Sequence, residues 1–153
     1  MAYKAVPGTT KMRKFVHMSL HLVALALGGL GLHAVFKFTR DSKDPDMRTL
    51  HTWLGMGTIC LYAFQWFIAF FSFIFPGTTY KMRANMKPWH AFFGAVIFLM
   101  AICSAETGLV ERFNLVIVKF GSEALLIDFI GITILLFGIF TILSVILPRP
   151  YYN

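Results

Sequence analysis

The spacing of the charges constrains this chain more than any other feature. Residues 15–36 carry no Lys, Arg, Asp or Glu over 22 positions, residues 49–80 none over 32, residues 88–105 none over 18, and residues 129–148 none over 20. The last run is preceded by the apolar stretch 124–127 and a single acid, Asp128. A helix needs about 17–25 such residues to cross a bilayer, and backbone in lipid must satisfy its own hydrogen bonds. The pattern therefore predicts an all-α integral membrane protein. Four transmembrane helices near 14–38, 49–75, 88–108 and 122–147 form an antiparallel bundle, one domain over residues 1–153. The six prolines (Pro7, Pro45, Pro76, Pro88, Pro148 and Pro150) fall at edges or in connectors of these spans, as helix chemistry favours. Apolar residues are 58% of the chain and charged residues 14%, against about 45–50% and about 25% in a soluble domain. A soluble globular fold is excluded.

The remaining charges sort by side. Four spans place the N-terminal segment, the 76–87 loop and the C-terminal tail together. That side holds Lys4, Lys11, Arg13, Lys14, Lys81, Arg83, Lys87 and Arg149 and no acid. The other side holds six basic residues and all seven acids, Asp41, Asp44, Asp46, Glu106, Glu111, Glu123 and Asp128. Basic loops stay in the cytoplasm, so both termini are expected there. The net charge of +7 thus reads as membrane orientation, not nucleic-acid binding. The first span lacks a small-residue cleavage site and is read as a helix that stays, not a secretory leader. The segment before it reads as a loop, which suits a connector from an earlier helix as well as a free start. Cys60 and Cys103 form no disulfide framework and match no zinc spacing.

Three helices open alike, with Lys14-Phe15-Val16-His17, Arg48-Thr49-Leu50-His51 and Lys87-Pro88-Trp89-His90. Each puts an imidazole just inside the apolar slab and a cation three positions earlier, at the headgroup level. Haem requires that combination: neutral imidazoles reach the iron from both faces of the ring, and cations at the water boundary meet its propionates. The first and third helices start on the same side, so His17 and His90 share a level and can share an iron. His51 starts at the opposite side, about 18 residues along the first helix or roughly 27 Å away. The plainer reading stays open, since lone histidines at helix ends are commonly interfacial, and lysines and arginines snorkel without binding anything. His21 and His33 taken singly read that way. Intramembrane ionisable groups are nonetheless functional candidates by default. Gly28, Gly29, Gly31, Gly55, Gly57, Gly94, Gly131 and Gly138 either admit a flat macrocycle or simply let helices approach.

The ordered motifs Leu50-His51-Thr52-Trp53-Leu54-Gly55, Phe64-Gln65-Trp66, Phe75-Pro76-Gly77, Pro88-Trp89-His90-Ala91-Phe92-Phe93-Gly94 and Ala105-Glu106-Thr107-Gly108-Leu109-Val110-Glu111-Arg112 cover nearly the whole chain. In order and spacing they resemble the cytochrome b561 family of ascorbate-dependent transmembrane electron carriers. The resemblance implies haem b held by His17 and His90 on the cytoplasmic side, and a second haem using His51. It also implies Lys14 and Arg83, with Lys11, as cations for the ascorbate anion, Lys4 near haem propionates, and Glu111 beside the far-side haem. No residue is assigned direct chemistry, which belongs to the cofactor.

The resemblance further implies electron flow from cytoplasmic ascorbate to monodehydroascorbate or a ferric chelate across a vesicle, endolysosomal or plasma membrane, in a homodimer. Three departures stand out. The family has six spans, and this chain resembles the last four, without the helix whose histidine pairs with His51; His33 lies near that depth. The family's Tyr-Ser-Leu-His reads Arg48-Thr49-Leu50-His51, and a family histidine near the acceptor is Thr39, which turns attention to Arg40, Lys43 and Arg48 for anion contacts. The rival readings are a non-catalytic four-helix scaffold and a divalent-metal carrier. The carrier is disfavoured because no acid falls within the first two spans.

Overall fold

The computed structural model describes residues 6–42, 48–115 and 121–147. It holds four long helices: α1 (Thr10–Ser42), α2 (Leu50–Ala69, extended by a π-helical turn over Phe70–Ile74), α3 (Tyr80–Leu115) and α4 (Ser122–Ile146). No strand occurs among the described residues. All four helices are long and apolar enough to span a membrane.

Threonines cap the starts of α1, α2 and α3. Thr9 Oγ1 accepts from the backbone N–H of Met12 at 3.3 Å, Thr49 Oγ1 from Thr52 at 3.3 Å, and Thr79 Oγ1 from Met82 at 3.3 Å. Each supplies a partner for one of the donors a helix leaves unpaired in its first turn. The Thr79 contact corrects the sequence reading of the third helix, which begins at Tyr80 and carries Pro88 in its interior instead of at an edge. Proline removes one N–H, so the carbonyl four residues earlier, on Ala84, loses its helical partner. The cost is bearable because the turns before Pro88 carry Lys81, Arg83 and Lys87 and lie at the membrane surface, where water reaches that carbonyl. At 36 residues and about 1.5 Å per residue, α3 is far longer than a hydrocarbon core of about 30 Å. Its first turns must therefore stand in the headgroup zone.

The link between α2 and α3 is tight. Phe75 N–H donates to Phe70 O at 3.0 Å, closing the wide turn, and Pro76 ends the helix. Gly77 then adopts φ +101°, which only glycine takes without strain.

α3 is the central post, packed most extensively against α2 and next against α4, while α1 rests on α2. Gly131 and Gly138 let α4 approach α3. A Cβ on Gly138 would lie 3.3 Å from Ile102 Cγ1. Only a few side chains are buried, among them Ile97 and Ser72, whereas Leu30 and Phe140 are each 66% exposed. Apolar residues cover the outside. That is the inverse of a soluble fold, and the packing between helices is left to close contact and interhelical hydrogen bonds.

Candidate functional site

At the basic end of the bundle, where α1 and α3 both begin, three imidazoles converge. The ring centres of His17 on α1 and His90 on α3 lie 6.2 Å apart with their planes at 88°. His21, one turn further along α1, stands edge to face on His17 at 4.3 Å. The neighbours on α2 hold this arrangement. Gln65 Nε2 donates to His90 O at 3.2 Å, Trp66 Nε1 to Met18 O at 3.4 Å, and Tyr62 Oη to His21 O at 3.1 Å. Residues 62, 65 and 66 share one helix face by their spacing, so a single stripe of α2 fixes both α1 and α3. Phe73, carried by the π-helical turn, packs on His90 at 5.5 Å.

The cations gather around the rings. Lys14 Nζ donates to Phe73 O at 3.5 Å, and the charges of Arg83 and Lys87 reach it. Arg13 is one turn before His17 and Arg83 two turns before His90, on the faces that carry the rings. The Nε atoms of both arginines are buried without a hydrogen-bond acceptor, and no acid lies on this side of the sequence. A buried guanidinium N–H calls for an acceptor, and an anion is the missing chemistry. Lys11 is exposed, and Lys4 lies outside the described residues.

At the opposite end, His51 stands alone. Its Nδ1–H donates to Ser104 O at 2.8 Å, which leaves Nε2 as the nitrogen with a free lone pair. Gly108 lies against the ring: a Cβ there would be 2.9 Å from His51 Cε1. Glu111 accepts from Thr49 Oγ1 at 3.1 Å, two residues before His51. Among the described residues no second histidine ring contacts His51. His33, which shares its depth, is exposed, as are Arg40 and Arg48; Lys43 lies outside the described residues. Thr39 Oγ1 donates back to its own helix, to Val35 O at 3.1 Å or Phe36 O at 3.2 Å.

The residues at the basic end fit a haem. A metal–imidazole bond is about 2 Å and the nitrogen about 1.1 Å from its ring centre, so two rings trans on one metal have centres about 6 Å apart. His17 and His90 meet that spacing, and the unpartnered guanidinium nitrogens suit carboxylates at the rim. The sequence reading takes His21 as interfacial, counts Arg13 only among the basic residues of its side, and gives Tyr62 no role. The i, i+4 spacing of His17 and His21 and of Arg13 and His17 was the available signal; for Tyr62 there was none.

Comparison with known proteins gives the family. The sequence pattern of eukaryotic cytochrome b561 matches residues 1–115. The chain is 38% identical over 148 residues to transmembrane ascorbate ferrireductase 1 of Arabidopsis thaliana, covering 94% of this chain and 62% of that protein. It is 36% identical over 156 residues to probable ascorbate-specific transmembrane electron transporter 1 of Oryza sativa subsp. japonica, covering 97% and 65%. To a lysosomal membrane ascorbate-dependent ferrireductase of Bos taurus it is 39% identical over 130 residues, covering 80% and 49%. The chain spans less than two thirds of the length of these relatives. With four spanning helices and a match over its first three, the chain is an integral membrane protein and belongs to the eukaryotic cytochrome b561 family.

Proposed function

We propose that this chain works as a transmembrane oxidoreductase that takes single electrons from cytoplasmic ascorbate and delivers them to monodehydroascorbate or a ferric chelate on the other side. The observation that carries this reading is the pair of rings from two helices, His17 and His90, facing each other 6.2 Å apart beneath a group of cations with no acid to neutralise it. His17 and His90 would hold haem b at the cytoplasmic level. His51, held by Ser104 with Nε2 available, would hold a second haem together with a group from outside the described residues. Haem b supplies a one-electron couple that a polypeptide lacks.

The chain's own residues do the rest. Lys14 and Arg83, with Lys11 at the rim, bind the ascorbate monoanion by charge and hydrogen bonding. Their positive field favours loss of the proton that leaves with the electron, so ascorbate departs as the monodehydroascorbate anion. Arg13 faces the same side. Phe73, Trp66 and the lipid-facing phenylalanines keep water away from the rings, and Glu111 lies at the far level, beside the start of α2. The basic side is the cytoplasmic one, which puts both termini there. A vesicle, endolysosomal or plasma membrane suits this reaction, and a homodimer is the expected assembly.

His90→Ala tests the reading. The wild-type chain, purified in detergent, is expected to show a haem b spectrum that sharpens on adding ascorbate, and the variant to lose it. An unchanged spectrum in His90→Ala rejects the ligand assignment, and a colourless wild type favours the non-catalytic scaffold.

A further inference from the structure

Tyr62 and His21 have no part in the function described above, yet they form the tightest polar contact at the basic end. The Tyr62 hydroxyl has one proton and two partners on the same residue. It donates to His21 O at 3.1 Å and lies 2.6 Å from His21 Nδ1. The ring gives or takes the hydrogen in the shorter contact according to its tautomer. His21 is thereby tied by its main chain and its ring to one oxygen atom, which fixes its ring orientation. One turn along the same face of α2, Trp66 donates to Met18 O at 3.4 Å, so α1 cannot slide past the clamp. The pair lies deeper than His17, inside the apolar slab, where water does not compete for the hydrogen bonds. From this fixed position His21 stands edge to face on His17, with centres 4.3 Å apart and planes at 71°. His17 in turn stands at 88° to His90.

We propose that Tyr62 and His21 are positioning residues that hold the His17 ring plane perpendicular to that of His90. The inference rests on the haem reading above and deepens it. Groups outside a metal's own ligands set ligand orientation and tune the metal. In a ferric low-spin haem the angle between the two axial imidazoles governs the splitting of the iron d orbitals. That splitting is read directly as the position of the low-field EPR feature, which moves to its extreme as the planes approach a right angle. Neither Tyr62 nor His21 needs to touch iron or ascorbate to have this effect.

The test compares Tyr62→Phe and His21→Leu with the wild-type full chain, using haem content, the ferric EPR spectrum and the midpoint potential. The EPR feature of the basic-end haem is identified by its loss in His90→Ala. Tyr62→Phe is expected to retain haem and the reduced visible spectrum while its low-field feature moves toward that of more nearly parallel rings, with a shifted potential. His21→Leu, which removes the ring contact itself, shifts it further. If one variant does not accumulate, the other decides. An unmoved low-field feature in haem-loaded variants overturns this inference alone. Loss of haem or of protein in both variants overturns it too, by making the pair a support of the fold. A wild type without haem defeats the ligand assignment first, so the two failures are told apart.

Discussion

The two ends of the bundle solve different problems with the same residue. At the basic end, His17 and His90 come from separate helices and meet across 6.2 Å, with buried Arg13 and Arg83 nitrogens that have no acceptor. At the other end, His51 is bound to the Ser104 carbonyl and pressed on Gly108, and the nearby acid Glu111 is already engaged by Thr49. The first end leaves ligand and charge needs open. The second engages His51 and Glu111 internally, leaves Glu106 Oε1 buried without a partner, and leaves one imidazole nitrogen available. Two histidine rings from this chain meet at the first end; at the second, among the described residues, His51 meets no other histidine ring.

The sharpest way to break the comparison is to remove one histidine from each end. His90→Ala is expected to eliminate ascorbate-reducible haem from the basic end. His51→Ala is expected to leave that haem in place, with one haem per chain by pyridine haemochrome assay. Complete loss of haem in His51→Ala would show that the two levels are not independent sites.

That the two levels exist was legible from sequence because it follows from charge-free runs and helix direction alone. A histidine three residues after a cation, at the start of alternate helices, fixes its depth without any knowledge of packing. Which partner each ring meets was legible for His17 and His90, whose helices run the same way. The Ser104 contact of His51 was not, because a backbone carbonyl in mid-helix carries no sequence signature. The start of α3 lies eight residues before the charge-free run that marks it in the sequence, because the helix continues through Lys81, Arg83 and Lys87 and past Pro88 from its cap at Thr79. The Tyr62–His21 clamp was not legible either. A tyrosine in an apolar run has the same local pattern whether its hydroxyl meets lipid headgroups or a histidine on another helix.

The charges give a smaller effect that belongs to the basic end only. A hydrogen bond to a charged group is worth about 1.5–3 kcal/mol, so Arg83→Gln should raise KM for ascorbate about tenfold or more, with haem content unchanged. Wild-type KM should also rise with ionic strength, because screening weakens partly exposed charges, and the variant should depend on salt less steeply. A KM that ignores both the substitution and salt would remove Arg83 from the anion site.

The smallest expected effects come from two glycines, one at each end, and they ask how rigid each site is. A Cβ on Gly108 would sit 2.9 Å from Cε1 and 3.0 Å from Nδ1 of His51, a ring that cannot retreat without giving up Ser104. A Cβ on Gly94 would meet Gln65 Nε2 at 3.1 Å, the far end of a flexible side chain that can turn aside. Overpacking a fixed neighbour costs about 1–3 kcal/mol, so Gly108→Ala should lower the thermal stability of the detergent-solubilised protein clearly, and Gly94→Ala little. Gly94→Ala should instead loosen the Gln65 contact to the His90 carbonyl and disturb the basic-end spectrum slightly. If the two substitutions destabilise equally, His51 is no more rigidly held than Gln65, and the idea of a prearranged single imidazole at the far end loses its structural basis.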